Sequence, residues 1–442
     1  MQTHMKKILA SLSLGRTPDA KLDLSVAIGS TLIRQILSSG LYFVALLVTT
    51  RQLGPHQNGL LATALLLPQT LYAFLNFGLA PSHIFHLSSG IGDHNRMRRT
   101  NWVLALVLWA AVVMALAVSS ERDIARYLQG LDKQSALYAS LLFPMMLLAA
   151  WTSALIQGSR DYQAYNKTLL VQPVTFCAAV LVLGAMGAVS VVSVLTCYIA
   201  SQLSLWLMCE ARVRRFARAG APGEPTLAAA IKYGLRAHVS NVITFMHYRI
   251  AMYLVSYLLG PTAMGNYALS VQLAEVMWLI ASAASTIVFP ESAAHNKSPV
   301  ALKKMIERIA VSVLKVTLGC ALLAAALASF AIPLIFGSAY SDAVIPYILL
   351  LPGIVVWSYI SVISNSLAGM GYQKINIHSA LICLTINFVG ALQVIPLYGL
   401  AGAALVSSFA LTVAGLYTVV MYRKVMLRKV VEHGHNNEVP NI

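Results

Sequence analysis

Four cations, Arg34, Arg236, Arg249 and Lys315, and one acid, Glu275, stand inside long apolar stretches of the chain. A cation at the middle of a bilayer costs from about 2.5 to more than 10 kcal/mol unless it faces water or a partner. Charge in such places is therefore a reason to look for function. The guanidinium offers a planar fork of donors that matches phosphate. Burial raises a carboxyl pKa and a neighbouring arginine lowers it. Glu275 is thus a candidate proton-coupling group or a fixed partner of Arg249. Arg34 lies about seven residues into its stretch, roughly 10 Å deep, on one helical face with Thr31, Ser38 and Tyr42. It can line a cavity or snorkel to the headgroups. Arg249 lies about fifteen residues in, too deep for an easy snorkel. Its face carries His238, Asn241, Phe245, Met252 and Ser256, whereas His247 points away and reads as packing. Arg236, near the start of its stretch, suits an interfacial anchor as well as a site, and so does Lys315 two turns into its own. A further polar stripe runs through Gln69, Tyr72, Asn76 and His83, and another through Trp278 and Ser282. Such groups suit sugars, and they also suit ordinary helix–helix hydrogen bonds. Four cations against one acid make the interior net positive, a field that attracts an anion and repels a cationic solute.

The elements that position these groups are apolar. Of 442 residues, 31 are Lys or Arg and 15 are Asp or Glu, so 10% carry full charge and 58% are hydrophobic. A soluble globular protein has about 25% charged residues. A soluble domain, a disordered chain and a nucleic-acid binder are excluded, despite the formal charge of +16. Twelve windows of the length a membrane helix needs run over 27–50, 60–86, 101–119, 136–157, 168–188, 189–209, 234–259, 266–289, 309–336, 344–368, 375–396 and 400–422. The expectation is an all-α polytopic membrane protein whose loops are too short for a folded domain. The start does not read as a cleaved signal peptide, because Asp19, Lys21 and Asp23 come before the first long apolar run. The five cysteines show no CxxC spacing, so no metal, cofactor or disulfide framework is expected. With the N-terminus inside, twenty-three basic residues fall on inner segments and four (Arg51, Arg122, Arg126, Lys133) on outer ones. Both termini are therefore expected in the cytoplasm, with the inner cations touching anionic lipid.

The chain repeats itself. Leu53-Gly54-Pro55, closed by Gly59, returns as Leu259-Gly260-Pro261, closed by Gly265. At the same offset of 206, Gln35 maps to Asn241, Ser38 to Thr244, Tyr42 to Tyr248, Gln69 to Glu275, Tyr72 to Trp278 and Asn76 to Ser282. Gly158 and Tyr162-Gln163 are echoed by Gly369 and Tyr372-Gln373. The organisation expected is an N-terminal lobe over 1–210, a basic cytoplasmic linker over 211–233, a C-terminal lobe over 234–422 and a tail over 423–442. Two six-helix lobes would be related by a pseudo-two-fold along the membrane normal, as parallel-repeat transporters are, with the site between them near the midplane.

The R-x-LGP-x-x-x-G stretch from Arg51 to Gly59, its copy at 259–265 and the two Gly…Tyr-Gln turns resemble the polysaccharide-export branch of the MOP (MATE-like) transporter superfamily. Within it they are most similar to Wzx-type flippases of O-antigen or exopolysaccharide repeat units. Asn58 and Met264 stand where that family often has an aromatic. The resemblance implies a two-lobed transporter of the bacterial inner membrane. It would move undecaprenyl-diphosphate-linked oligosaccharide from the cytoplasmic to the periplasmic leaflet, beside a polysaccharide polymerase and chain-length machinery. Arg34, Arg249, Arg236 and Lys315 would hold the diphosphate. Ser38, Tyr42, Gln69, Tyr72, Asn76, Asn241 and Trp278 would line the cavity, and Glu275 would couple protons. The acyl tail would leave between spans 1 and 8.

The alternative on the same architecture is a multidrug or cation antiporter, which calls for several buried carboxylates where this chain offers Glu275. Lipid II flippases usually have fourteen spans. A membrane enzyme would place catalytic groups on a sizeable outer loop. The longest here, from about Ser119 to Ser135, holds Glu121, Asp123 and Asp132 in no catalytic arrangement. A scaffold has no need of charge at the midplane.

Overall fold

The computed structural model describes residues 18–438 apart from 91, 129, 160, 217–226 and 294–297, and its regular elements are helices. They run in the order α1 (Pro18–Leu75), α2 (Leu79–Ser88), α3 (His94–Val118), α4 (Glu121–Tyr127), α5 (Lys133–Ser140), α6 (Leu142–Gly158), α7 (Tyr162–Leu169), α8 (Val171–Ala185), α9 (Val191–Phe216), α10 (Leu227–Glu275), α11 (Trp278–Ala293), α12 (Pro299–Phe336), a 3-10 turn η1 (Ser338–Ala343), α13 (Val344–Gly369) and α14 (Gln373–Glu438). Among the described residues, nine helical stretches are long and apolar enough to cross a membrane. The protein is a multi-pass membrane protein. Leucine, valine and phenylalanine side chains stand exposed on its flanks, among them Val107 and Met114 on α3 and Leu322, Leu323 and Phe330 on α12. In lipid such exposure costs nothing.

Three of the nine stretches run for 47, 56 and 59 residues. At 1.5 Å per residue each would extend about 70 Å or more, over twice the roughly 30 Å hydrocarbon core. Each is broken by a glycine with non-helical backbone: Gly54 (φ 70°, ψ 172°), Gly260 (φ 80°, ψ −175°) and Gly399 (φ 56°, ψ −135°). The conformation of Gly54 and Gly260 is essentially closed to residues with a Cβ. Proline follows both. It excludes the helical conformation from the residue before it and is pre-shaped for the first turn after it. Leu-Gly-Pro is thus a complete instruction for ending one helix and starting another.

Each half of the chain has cores of its own. Phe143, Leu147, Trp151 and Leu155 of α6 centre one cluster, and Ala45, Leu61, Phe176 and Val180 another. In the second half, Tyr267, Leu269, Tyr340 and Leu350 centre a third, into which Leu66 enters from the first half. The fourth joins Val288 and Val362 to Leu302, Ile306, Tyr422, Val425 and Met426. That last cluster also shapes the segment expected as the tail: past its break at Gly399, α14 continues as helix to Glu438, and Val425 and Met426 are buried with Leu302 and Ile306 of α12. Most of the expected linker is likewise helix at its two ends, since α9 reaches Phe216 and α10 begins at Leu227.

Candidate functional site

The two Leu-Gly-Pro turns meet face to face. A Cβ at Gly59 would overlap the carbonyl oxygen of Pro261, and a Cβ at Gly265 would overlap that of Pro55. Each motif's final glycine is thus the seat for the other motif's proline. Around this contact the His56 ring reaches the Thr262 hydroxyl at 3.2 Å and Asn58 donates to the Gly265 carbonyl at 3.4 Å. Arg126 of α4 lies near Tyr257, and Tyr340 of η1 donates to the Thr50 carbonyl at 3.1 Å. One end of the molecule, the end carrying these turns, is therefore sealed between the halves.

The seam between the second segment of α1 and the first of α10 stays shut along its whole length. Thr63 meets Ser256 at 3.0 Å, the Tyr253 hydroxyl donates to the Leu66 carbonyl at 3.2 Å, and Thr70 bonds Tyr253. At the far end the His238 ring meets the Phe74 carbonyl at 3.0 Å, and Gly78 and Gly234 approach so closely that neither has room for a Cβ. Phe85 of α2 stacks on Tyr233 with centroids 4.4 Å apart.

Beside this seam lies a chain of cavities. One of about 380 Å³ is lined by Gln69, Tyr72, Met146, Phe245, Tyr248, Arg249, Glu275 and Trp278. A second, of about 370 Å³, continues from Glu275 between the first segment of α1 and the end of α10, past Ser39, Tyr42, Phe43, Leu46 and Val276 to Leu279 of α11. A third, of about 410 Å³, runs from Tyr248 and Trp278 into the second half, where Ser285, Trp357, Ser361 and Asn365 line it. Arg249 and Glu275 form an ion pair at the junction, 3.0 Å apart, with about a quarter of each side chain still open to the cavity. The guanidinium has five N–H donors, and the contact with Glu275 comes from a single nitrogen. Its other donors can meet a ligand anion. Aromatic rings frame the pair: Tyr248 packs on Trp278 at 4.8 Å and accepts from the Trp357 indole at 2.9 Å. The helix breaks directly after Glu275, so that Val276 and Met277 form a turn between α10 and α11. Interrupted helices at midplane depth are tolerated where they line a cavity, and transporters place binding groups on them.

The sequence matches the family model described as polysaccharide biosynthesis protein over residues 48–345, about two thirds of the chain. The chain belongs to that family. No curated protein sequence matches it. Among solved structures, this family member is similar to the lipid II flippase MurJ in an inward closed conformation, with TM-score 0.73 and 15% identity over 93% of each chain. It is also similar to an inward-facing multidrug resistance MATE transporter of the MOP superfamily, with TM-score 0.68 and 13% identity over 90% of this chain and 98% of that one. A third likeness is to a MOP superfamily transporter from Pyrococcus furiosus, described as having a binding pocket of reverse polarity, with TM-score 0.58 and 13% identity over 92% and 95%. At these identities the likeness is one of fold. The polysaccharide biosynthesis family member has the MOP transporter fold.

Of the residues singled out in the sequence, the fold brings Gln69, Tyr72, Arg249, Glu275 and Trp278 to one cavity, with Tyr42 on the adjoining one. Arg34 and Lys315 are elsewhere. Arg34 donates from its Nε to Asn166 at 3.1 Å, and Asn166 in turn donates to Ser30 and Thr31, so Arg34 is tied to the start of the α7–α8 span. Lys315 is exposed on α12 among outward-facing Val311, Val316 and Leu318. The Arg236 side chain lies outside the described residues. Among the described side chains, the positive interior expected from the cations comes down to Arg249 with an acid beside it. Asn76 bonds the carbonyl of Tyr72 and the amide of Gly78, which makes it the stop of the α1 helix. His83 is buried against Asn101 at 2.8 Å in the first-half core. The Ser38 hydroxyl is buried with no partner among the described residues, and Asn241 is exposed one turn beyond Phe245. His247 is buried, with its ring tilted against Tyr248 at a centroid distance of 3.7 Å. Sequence reasoning missed Asn166, which stands in the polar stretch just before an apolar run, Trp357 and Asn365, each inside an apolar run, and the break after Glu275, which no Gly or Pro announces.

Proposed function

We propose that this protein flips an undecaprenyl-diphosphate-linked oligosaccharide, an O-antigen or exopolysaccharide repeat unit, from the cytoplasmic to the periplasmic leaflet of the bacterial inner membrane by alternating access. The observation that carries the reading is Arg249, which faces the central cavity with spare donors beside Gln69, Tyr72 and Trp278. Diphosphate needs the first and a glycan suits the others: amides and hydroxyls bond sugar hydroxyls, and aromatic faces pack on sugar rings. Membership of a polysaccharide biosynthesis family and the MOP fold support it. On this reading the nine spans, three of them each broken by a glycine, count as twelve crossings, six to a lobe, with both termini on one side. The excess of basic residues favours the cytoplasm for that side, and the sealed Leu-Gly-Pro end then faces the periplasm. The second cavity opens between α1 and α11, where the polyprenyl chain can stay in lipid while its headgroup enters.

The ion pair supplies a mechanism for exchange. An empty cavity holds Arg249 against Glu275. A diphosphate competes for the guanidinium, and a proton taken up by Glu275 releases it. Glu275 is the coupling group in this scheme, and one proton's arrival and one anion's binding favour each other through the same arginine. No covalent step is involved. A second reading, a cation antiporter, draws on Glu275 among Tyr248, Trp278 and Trp357, since aromatic faces attract cations. Arg249 in the same site opposes it.

Mass spectrometry of lipids from a deletion strain tests the function. Accumulation of undecaprenyl diphosphate bearing a complete repeat unit, with loss of long surface polysaccharide, is the expected result. Arg249→Ala expressed in that strain should reproduce it. An unchanged lipid profile with altered drug susceptibility would replace the flippase by the antiporter.

A further inference from the structure

The four outer basic residues have different employment. Lys133 donates to the carbonyls of Ala117 and Ser119 at 2.6 and 3.1 Å. Arg126 lies near Tyr257 and 5.9 Å from the Tyr127 ring centre, and Arg122 sits on α4 between Glu121 and Asp123. Arg51 opens the R-x-LGP motif, is exposed, and has no hydrogen bond or ion pair among the described residues. Nothing in the turn itself calls for arginine there. Leu53, Gly54 and Pro55 make the break, and neighbouring Gln52 does the local bonding, donating to the Gly184 carbonyl at 3.0 Å.

Arg51 instead lines a groove of about 610 Å³ on the outer half of the molecule, between the first segment of α1 and the end of α12. Its other walls are Leu47, Val48, Gln52, Leu334 and Ile335, and no acid lines it. Leu334 and Ile335 are exposed apolar side chains at 59% and 38%. The groove adjoins the central cavities. Phe43, one turn before Leu47, lines the lateral cavity on one side and packs edge-to-face on Phe336 at 6.4 Å on the other. An apolar trough headed by one unpaired guanidinium, at headgroup level and one aromatic pair away from the transport cavity, has the chemistry of an anionic lipid site.

We propose that this groove holds the diphosphate of the lipid-linked product in the outer leaflet, with Arg51 on the phosphate and the first isoprene units along Leu47, Val48, Leu334 and Ile335, after the headgroup has left Arg249. The proposal rests on the flippase reading and adds an exit site to it. Release from Arg249 then has a place to go to, and the Phe43–Phe336 pair is what the chain passes.

The test uses the full-length protein in nanodiscs of phosphatidylethanolamine and phosphatidylglycerol, with undecaprenyl diphosphate as the probe. A photoreactive benzoylphenylalanine is placed at Leu334 in the groove, or at Tyr72 in the central cavity. The expected result is cross-linking of undecaprenyl diphosphate at both positions. Arg51→Gln should lower the yield at Leu334 about tenfold, the cost of one charge-assisted contact. Arg51→Lys should restore part of it, and the Tyr72 yield should stay level, which also shows that the variants are folded. Cross-linking at Leu334 that is indifferent to Arg51→Gln, or that captures phosphatidylglycerol equally well, would overturn the site as a bulk-lipid groove. Cross-linking at Tyr72 alone would overturn the exit site and leave the flippase reading standing. Cross-linking at neither position would overturn both.

Discussion

The two halves share a plan at an offset of 206 residues, yet the charge is in one of them. Where the second half has Arg249 and Glu275, the first has Phe43 and Gln69; Trp278 answers to Tyr72 and Tyr248 to Tyr42. The helix break at Val276 and Met277 has no counterpart either, since α1 runs on through the equivalent residues 70 and 71 to Leu75. The Leu-Gly-Pro turns, by contrast, are kept in both. The difference follows from what each feature touches. The turns touch each other, each final glycine seating the other's proline carbonyl, so each constrains its copy. The cavity is where the proposed ligand binds, and a lipid with its headgroup at one end has no two-fold of its own.

The strongest test of the symmetric part is at the glycines. Gly59→Ala and Gly265→Ala each put a methyl where the other turn's carbonyl oxygen lies. Backbone on both sides leaves nothing flexible to yield, so the sealed end has to part. A cysteine pair at His56 and Thr262 reports this, because those side chains sit 3.2 Å apart in the sealed state. Disulfide yield should fall at least about tenfold in either glycine variant, and transport should be lost, as expected when close-packed backbone is forced apart. Equal effects would uphold the pseudo-two-fold. A large effect from one glycine and none from the other would break it.

The asymmetric part predicts unequal effects at equivalent positions. Arg249→Ala removes the phosphate donors and leaves Glu275 without its partner. Transport of the lipid-linked glycan should drop about 100-fold or more, from two charge-assisted hydrogen bonds at roughly 1.5 kcal/mol each. Phe43→Ala, at the matching place, should cost only a few-fold. Glu275→Gln should still bind ligand but lose dependence on a proton gradient, measured in vesicles with and without an imposed pH difference. Retained dependence in that variant would move the coupling elsewhere.

How much of this was legible in the sequence divides along the same line. Twelve hydropathy windows, the glycine-proline breaks and the paired turns could be read because each is written locally, in composition or in a residue whose backbone preference is strong. Arg249, Glu275, Gln69, Tyr72 and Trp278, which line one cavity, could each be singled out because polar groups at helical spacing in apolar runs are expensive. Arg34 and Lys315 looked the same by that criterion. What separates them is lateral: which way the helix is turned, and whether a neighbour such as Asn166 reaches across. Helical periodicity gives a face but not what the face meets. The reciprocal seating of Gly59 and Gly265 was hidden for the same reason, although both glycines had been aligned.

Arg34 gives a smaller, sharper test. Its guanidinium is held by Asn166, itself bonded to Ser30 and Thr31, so the group acts as a brace between α1 and α7 within the first half. If bracing is its work, Arg34→Ala and Asn166→Ala should lower thermal stability alike, by about 1–2 kcal/mol, and the double variant should cost little more than either single one. Transport should fall only in proportion to folded protein. A specific transport defect in Arg34→Ala, absent from Asn166→Ala, would return Arg34 to the ligand path and give the first half a charge of its own.

Lys315 should have the smallest effect. Its ammonium is exposed on α12, on the flank where Val316, Leu318 and Leu322 also face outward, and the cavities described above are lined by other residues. A lysine there can lay its four methylenes along the helix and bring the charge to the headgroups. Lys315→Met keeps an unbranched side chain of similar length and removes the charge, so stability should change by less than about 0.5 kcal/mol and transport should be untouched. The same substitution separates the two meanings of an intramembrane cation. If it silences transport while Arg249→Ala does not, the ligand approaches along the outside of the second half, and the cavity between the halves is not its route.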